Sequence, residues 1–136
     1  MYTPRYDEKA NVLFFAESTD GSSEIPLDGQ GVFVCGSLQN PRKMTKLLGR
    51  EATFAPAIVF GFRHEILEID GCSIPFMLSS PETPGCVLTG IAWLALSGEE
   101  LGRIAEIELA GNFRRKILLT SHLGNKELQI TSFTRR

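Results

Sequence analysis

Long apolar runs are missing from this chain of 136 residues. None approaches the roughly 20 residues that a membrane-spanning helix needs, so the membrane is not an expected partner. Positive charge is also scarce: the net charge is −2 and the isoelectric point near 5.7. Basic residues gather only at Arg42-Lys43, Arg114-Arg115-Lys116 and Arg135-Arg136, which argues against nucleic acid as a partner. The three cysteines, Cys35, Cys72 and Cys86, are an odd number at no repeated spacing, which argues against a disulfide framework. Neither His64 nor His122 stands at metal-ligand spacing from them, so no metal is expected. The first apolar block, Val12 to Phe15, is too short for a signal peptide, which makes the cytoplasm the expected location. No internal repeat or low-complexity tract is present. What is there is 43% hydrophobic residues, enough for one domain with a real core and too few for two.

Residues 1–30 read differently from the rest. Val12 to Phe15 could make one strand, but the polar, turn-forming run after it continues to Gly31. This part is a leader, either flexible or an added edge strand, ahead of a domain over residues 31–136. That domain begins on Val32-Phe33-Val34, a β-branched and aromatic run that breaks into Cys35-Gly36-Ser37-Leu38 and is succeeded at once by helix-start residues. Asn40 can cap, Pro41 can take the first helical position, and Gly49 can end the helix after Leu48. Such a strand, loop and helix aim backbone N–H groups outward beside the positive end of a helix dipole, a setting for a carboxylate or a polarised carbonyl oxygen. Any strand-turn-helix unit makes something similar for structural reasons alone.

Further along, Ala57 to Phe62 is an apolar strand run, and His64 to Ile69 leads into an Asp70-Gly71 hairpin turn. Ile74 to Leu78 would pair back, with Pro75 marking a strand edge. A loop over residues 79–85 precedes Val87 to Leu96, the longest strand candidate, in which Gly90 signals a bulge or a close backbone approach. Arg115 to Ser121 and Leu128 to Phe133 close the chain as two strands around Gly124-Asn125. Many strands with two helices among them indicate an α+β fold with a curled mixed sheet or small barrel.

Ser97 with Glu100 three residues later is a capping box, which starts a second helix running from Gly98 to about Leu109. Leu101, Ile104 and Ala105 set its apolar face, and the next position of that face is Glu108. At roughly 100° per residue Glu108 projects within about 15° of the mean apolar direction, whereas Glu106 points almost the opposite way. A carboxylate sent toward the core must find a partner, keep a proton or line a wet pocket. Desolvation would raise its pKa toward neutrality, as a general base at pH 7 requires. Alternatively the helix frays there, or Glu108 forms a structural bridge with Arg114 or Arg115.

These segments, taken in order, resemble the gamma-glutamylcyclotransferase-like family. The match runs over residues 31–135 through Val32 to Leu38 and its helix, Phe60-Gly61-Phe62-Arg63, Ile74-Pro75-Phe76, Val87 to Gly90, Leu101 to Glu108 and Phe113-Arg114-Arg115. The family's Tyr-Gly-Ser/Thr-Leu loop stands here as Cys35-Gly36-Ser37-Leu38. Its catalytic glutamate corresponds to Glu108, with Ala105 in place of an aspartate and Leu109 in place of a glycine. Its aromatic-x-Arg is matched by Phe113 and Arg115. The fold implied is a small mixed β-barrel of five to seven strands with two main helices.

The activity implied is release of 5-oxoproline from a small gamma-glutamyl peptide or gamma-glutamylamine, by attack of the α-amine on its own γ-carbonyl, a reaction that needs no cofactor. Glu108 would be the general acid/base, and Cys35, Gly36, Ser37 and Leu38 would hold the substrate. Pro75 and Phe76 either line the pocket or only shape a strand edge. Arg115 would pair with a carboxylate, structurally or through Glu108. The alternative is a member of the same fold that binds a small ligand or a protein without turnover. A third chemistry would use Cys35 as a nucleophile, its thiol activated beside the helix N-terminus. His64 is expected on the barrel surface, and the oligomeric state is left open.

Overall fold

The computed structural model describes residues 2–7, 12–17, 30–79, 85–124 and 126–135. The turn-rich run over 18–29, most of the proline loop (80–84) and Asn125 of the last turn lie outside them. The described leader segments, β1 (Tyr2–Asp7) and β2 (Val12–Glu17), pair with each other as an antiparallel two-stranded sheet. Among the described residues this sheet is separate from those that follow.

The domain starts with β3 (Gln30–Val34), a single 3₁₀ turn (Ser37–Gln39) and α1 (Pro41–Leu48). Local chemistry sets both ends of α1. The Arg42 N–H donates to the Asn40 side chain at 2.9 Å, and Pro41 occupies the first turn. Gly49 adopts φ 76° and donates its N–H to the Thr45 carbonyl at 2.8 Å.

The strand β4 (Thr53–Phe60) alternates, with Ala55, Ala57 and Val59 turned inward. The apolar run read as continuous through Phe62 is cut at Gly61, whose φ of 80° turns the chain out of the barrel. Beyond that turn, β5 (Phe62–Ile69) and β6 (Cys72–Ser79) form a separate hairpin. Asp70 and Gly71 close it with φ of 51° and 78°, the two positive values that a tight hairpin turn demands.

The long strand β7 (Val87–Leu96) returns to the barrel. A Cβ on Gly90 would lie 2.4 Å from the Val34 carbonyl oxygen, so glycine is required by the close approach of β3. The capping box forms at the head of α2 (Gly98–Glu108), with Glu100 N–H to Ser97 Oγ at 3.1 Å and Ser97 N–H to Glu100 Oε1 at 3.0 Å. A short turn leads into β8 (Arg114–Leu123) and β9 (Lys126–Arg135).

The barrel closes in the order β3-β7-β4-β8-β9, with β9 lying parallel to β3 at Val32 and Thr131. The expected small mixed β-barrel with two main helices is the architecture observed. Its wall has two apolar faces. Phe33, Ala57, Val59, Ala92, Leu94, Leu119 and Ile130 fill the interior. Val32, Val34, Ile91, Trp93 and Phe133 face Met44 of α1 and Leu101 and Ile104 of α2. Strand alternation produces both: neighbours such as Val32 and Phe33 serve opposite cores. No helix among the described residues is long and apolar enough to cross a membrane.

Candidate functional site

A cavity of about 210 Å³ opens where the end of β3 and its loop, the β5–β6 hairpin, the end of α2, the start of β8 and β9 converge. Cys35, Gly36 and Ser37 line it from the loop, His64, Ser73 and Pro75 from the hairpin, Glu108 from α2 and Arg114 from β8. The walls stand close together, since a Cβ on Gly36 would be 3.8 Å from Pro75 Cγ.

Glu108 reaches the cavity because it continues the helix face on which Leu101 and Ile104 are buried. Its side chain is only 19% exposed. Burial pushes its carboxyl above the usual glutamate range, and the positive charge of Arg114 opposes that rise. The turn Ala110–Asn112 brings Arg114 back beside it, using φ of 77° at Gly111 and 63° at Asn112. Arg114 is itself well fixed. Its Nη2 donates to the Pro75 carbonyl at 2.7 Å, its guanidinium lies 4.6 Å from the Phe76 ring centroid, and Nε stands 3.7 Å from Glu108 Oε2.

The residues expected at a site separate into two groups. Glu108, Cys35, Gly36, Ser37 and Pro75 share the cavity. Leu38, Phe76 and Arg115 do not line it. Leu38 is buried in the core under the helices, and its carbonyl accepts the Trp93 indole N–H at 3.0 Å. Phe76 is buried beneath the Arg114 guanidinium. Arg115 is exposed, and of the two arginines offered as partners of Glu108 it is Arg114 that stands beside it. Neighbouring residues of β8 point to opposite faces, and the face that carries Arg114 at the start of the strand is the one that meets Glu108, the Pro75 carbonyl and the Phe76 ring. His64, expected merely on the surface, is exposed but also lines the cavity mouth. Arg114 is one of the two arginines the sequence offers to Glu108, and no local signal chooses between them or marks His64.

The nucleophilic reading of Cys35 is corrected. Burial pushes its thiol up to about 11, the Glu108 charge pushes in the same direction, and Arg114 only partly opposes them. A thiol so placed keeps its proton at neutral pH, and the thiolate is the reactive form. That the charge of Glu108 is felt at Cys35 also reflects how the loop and the glutamate share one poorly solvated space. Among the described residues no group of three or more His, Cys, Asp or Glu side chains is placed to hold a metal ion.

No family profile and no curated protein sequence matches the chain. Solved structures do. One named gamma-glutamyl cyclotransferase superposes with a TM-score of 0.67 at 16% identity, over 79% of this chain and 66% of that one. An Arabidopsis thaliana protein solved in solution gives 0.66 at 22% identity, over 84% and 66% respectively. An uncharacterised Homo sapiens protein gives 0.67 at 18% identity, over 79% and 66%. The chain has the gamma-glutamyl cyclotransferase fold and spans about two thirds of the length of these structures.

Proposed function

We propose that the chain is a cyclotransferase that releases 5-oxoproline from a small gamma-glutamyl peptide or gamma-glutamylamine. One observation carries this reading: a largely buried Glu108, its pKa raised by desolvation, faces the Gly36-Ser37 loop across a shared cavity. In the reaction Glu108 accepts a proton from the substrate's α-ammonium. The freed amine attacks the γ-carbonyl carbon and closes a five-membered ring, Glu108 passes its proton to the leaving nitrogen, and the C–N bond to that nitrogen breaks. The ring nitrogen, which still carries two hydrogens, gives the second proton to Glu108, leaving the neutral lactam, and Glu108 hands it to the departing amine, which leaves as an ammonium. Because nucleophile and electrophile belong to one molecule, the cavity serves mainly to fold the substrate into an attack geometry. Ser37 heads the 3₁₀ turn, and its N–H, together with that of Gly36, is suited to the oxygen that becomes negative during attack.

The named neighbour lends support through its fold. Detection of 5-oxoproline by mass spectrometry across a panel of gamma-glutamyl compounds tests the reading. Product is expected from the wild-type chain and none above background from Glu108→Gln with its fold retained. The second reading, binding without turnover, draws on the Arg114 guanidinium beside Glu108, which gives the carboxylate a structural occupation. Ligand-induced thermal stabilisation without product, unchanged in Glu108→Gln, would favour it.

A further inference from the structure

Arg114 presents a guanidinium whose fixed parts and free parts can be told apart. Of its five N–H donors, Nη2 is engaged by the Pro75 carbonyl at 2.7 Å. The Phe76 ring covers one face of its plane. Nε stands 3.7 Å from Glu108 Oε2, beyond hydrogen-bond length, and no other acceptor among the described residues takes the remaining donors. The side chain is only 18% exposed and borders the cavity, so its orientation is set while part of its donor edge is unspent. A planar donor edge held in this way matches a carboxylate, which accepts two parallel N–H bonds.

Glu108 sits immediately beside that edge. A cation and an anion fixed side by side complement a head group that carries an anion and a cation on one carbon, and a free α-amino acid head is such a group. A carboxylate anchored at Arg114 would bring the neighbouring α-ammonium within reach of Glu108, the group proposed to take its proton. We propose that Arg114 determines specificity by binding the α-carboxylate of the gamma-glutamyl head, leaving the Gly36-Ser37 loop to the γ-carbonyl oxygen. This assignment rests on the reading of the cavity as a gamma-glutamyl site but not on turnover. It restricts ligands to those whose α-carboxylate is free; esters, amides and decarboxylated analogues are excluded.

The test compares γ-glutamylmethylamide with 4-amino-N-methylbutanamide, which differs only by lacking the α-carboxylate. Dissociation constants are measured by ligand-observed NMR on the full chain, and 5-oxoproline is monitored in the same samples. The wild-type chain should prefer the carboxylate-bearing ligand by about tenfold to a hundredfold, the usual worth of a charge-assisted hydrogen bond pair. In Arg114→Gln, which keeps an amide donor for the Pro75 carbonyl, that preference should collapse toward one while affinity for the decarboxylated analogue is unchanged. Arg114→Lys, retaining the charge without the planar edge, should fall between. A wild-type chain without the preference, an unchanged preference in Arg114→Gln, or equal weakening of both ligands would each overturn the assignment, the last by showing a purely structural role. If the preference behaves as expected but no 5-oxoproline ever forms, the catalytic reading fails and the Arg114 assignment stands. If 5-oxoproline forms with the same KM in Arg114→Gln, the assignment fails and the catalytic reading stands.

Discussion

Glu108 is an acid whose charged form the fold disfavours. Its native pKa lies above 4.5, the ordinary value, because desolvation outweighs the attraction of Arg114. The stability this group contributes is therefore fully present below pH 4.5 and is lost as pH rises through its raised native pKa. Glu108→Gln is expected to melt no lower than wild type at pH 7, with any gap closing below pH 4.5. Thermal melts across that range check it, and a lower melting temperature at pH 7 would mark Glu108 as a structural ion-pair partner. In the same terms, the acid limb of kcat/KM should sit above the ordinary glutamate range. Arg114→Gln removes the charge that lowers the Glu108 pKa and should shift that limb to higher pH. Arg115→Gln, altering an exposed side chain outside the cavity, should leave it in place.

At the scale of the element, most of the fold was legible because its determinants are local. Asn40, Pro41 and Gly49 bound α1, Ser97 and Glu100 start α2, and Asp70-Gly71 closes the β5–β6 hairpin, each within a few residues of the feature it controls. The inward aim of Glu108 was legible for the same reason, since one helical period carries it. The choice between Arg114 and Arg115 was not, because it depends on which face of β8 turns toward α2, a long-range fact. Likewise, nothing near Gly61 announces that the chain leaves the barrel there for a second sheet. Two measurements belong to this scale. Ser97→Ala removes the cap at the head of α2 and should cost about 1 kcal/mol in denaturant unfolding. Gly111→Ala strains a turn residue at φ 77° and drives a Cβ to 2.6 Å from the Phe113 ring, so it should displace Arg114 and reduce turnover beyond its effect on stability.

For the whole molecule, the barrel wall is an amphipathic object with two apolar sides. The interior cluster holds the strands in register, and the outer cluster seats α1 and α2 on the wall. The cavity lies where the second arrangement meets the detached hairpin, so the placement of Glu108 depends on how firmly α2 is seated. Ile104, fully buried, is the anchor of that seat. Ile104→Ala should cost about 2–5 kcal/mol, measured by denaturant unfolding, and should lower turnover in the surviving folded fraction by loosening α2. Gly90→Ala should instead disturb the barrel itself, where β3 and β7 approach too closely for a side chain. The central claim is that one buried carboxylate performs proton transfer for ring closure within this cavity. Its most direct measurement is the yield of 5-oxoproline from a gamma-glutamyl panel with wild-type and Glu108→Gln chains of equal folded content. The account predicts product from the first and none above background from the second; equal yields from both, or none from the wild type with any member of the panel, would contradict it.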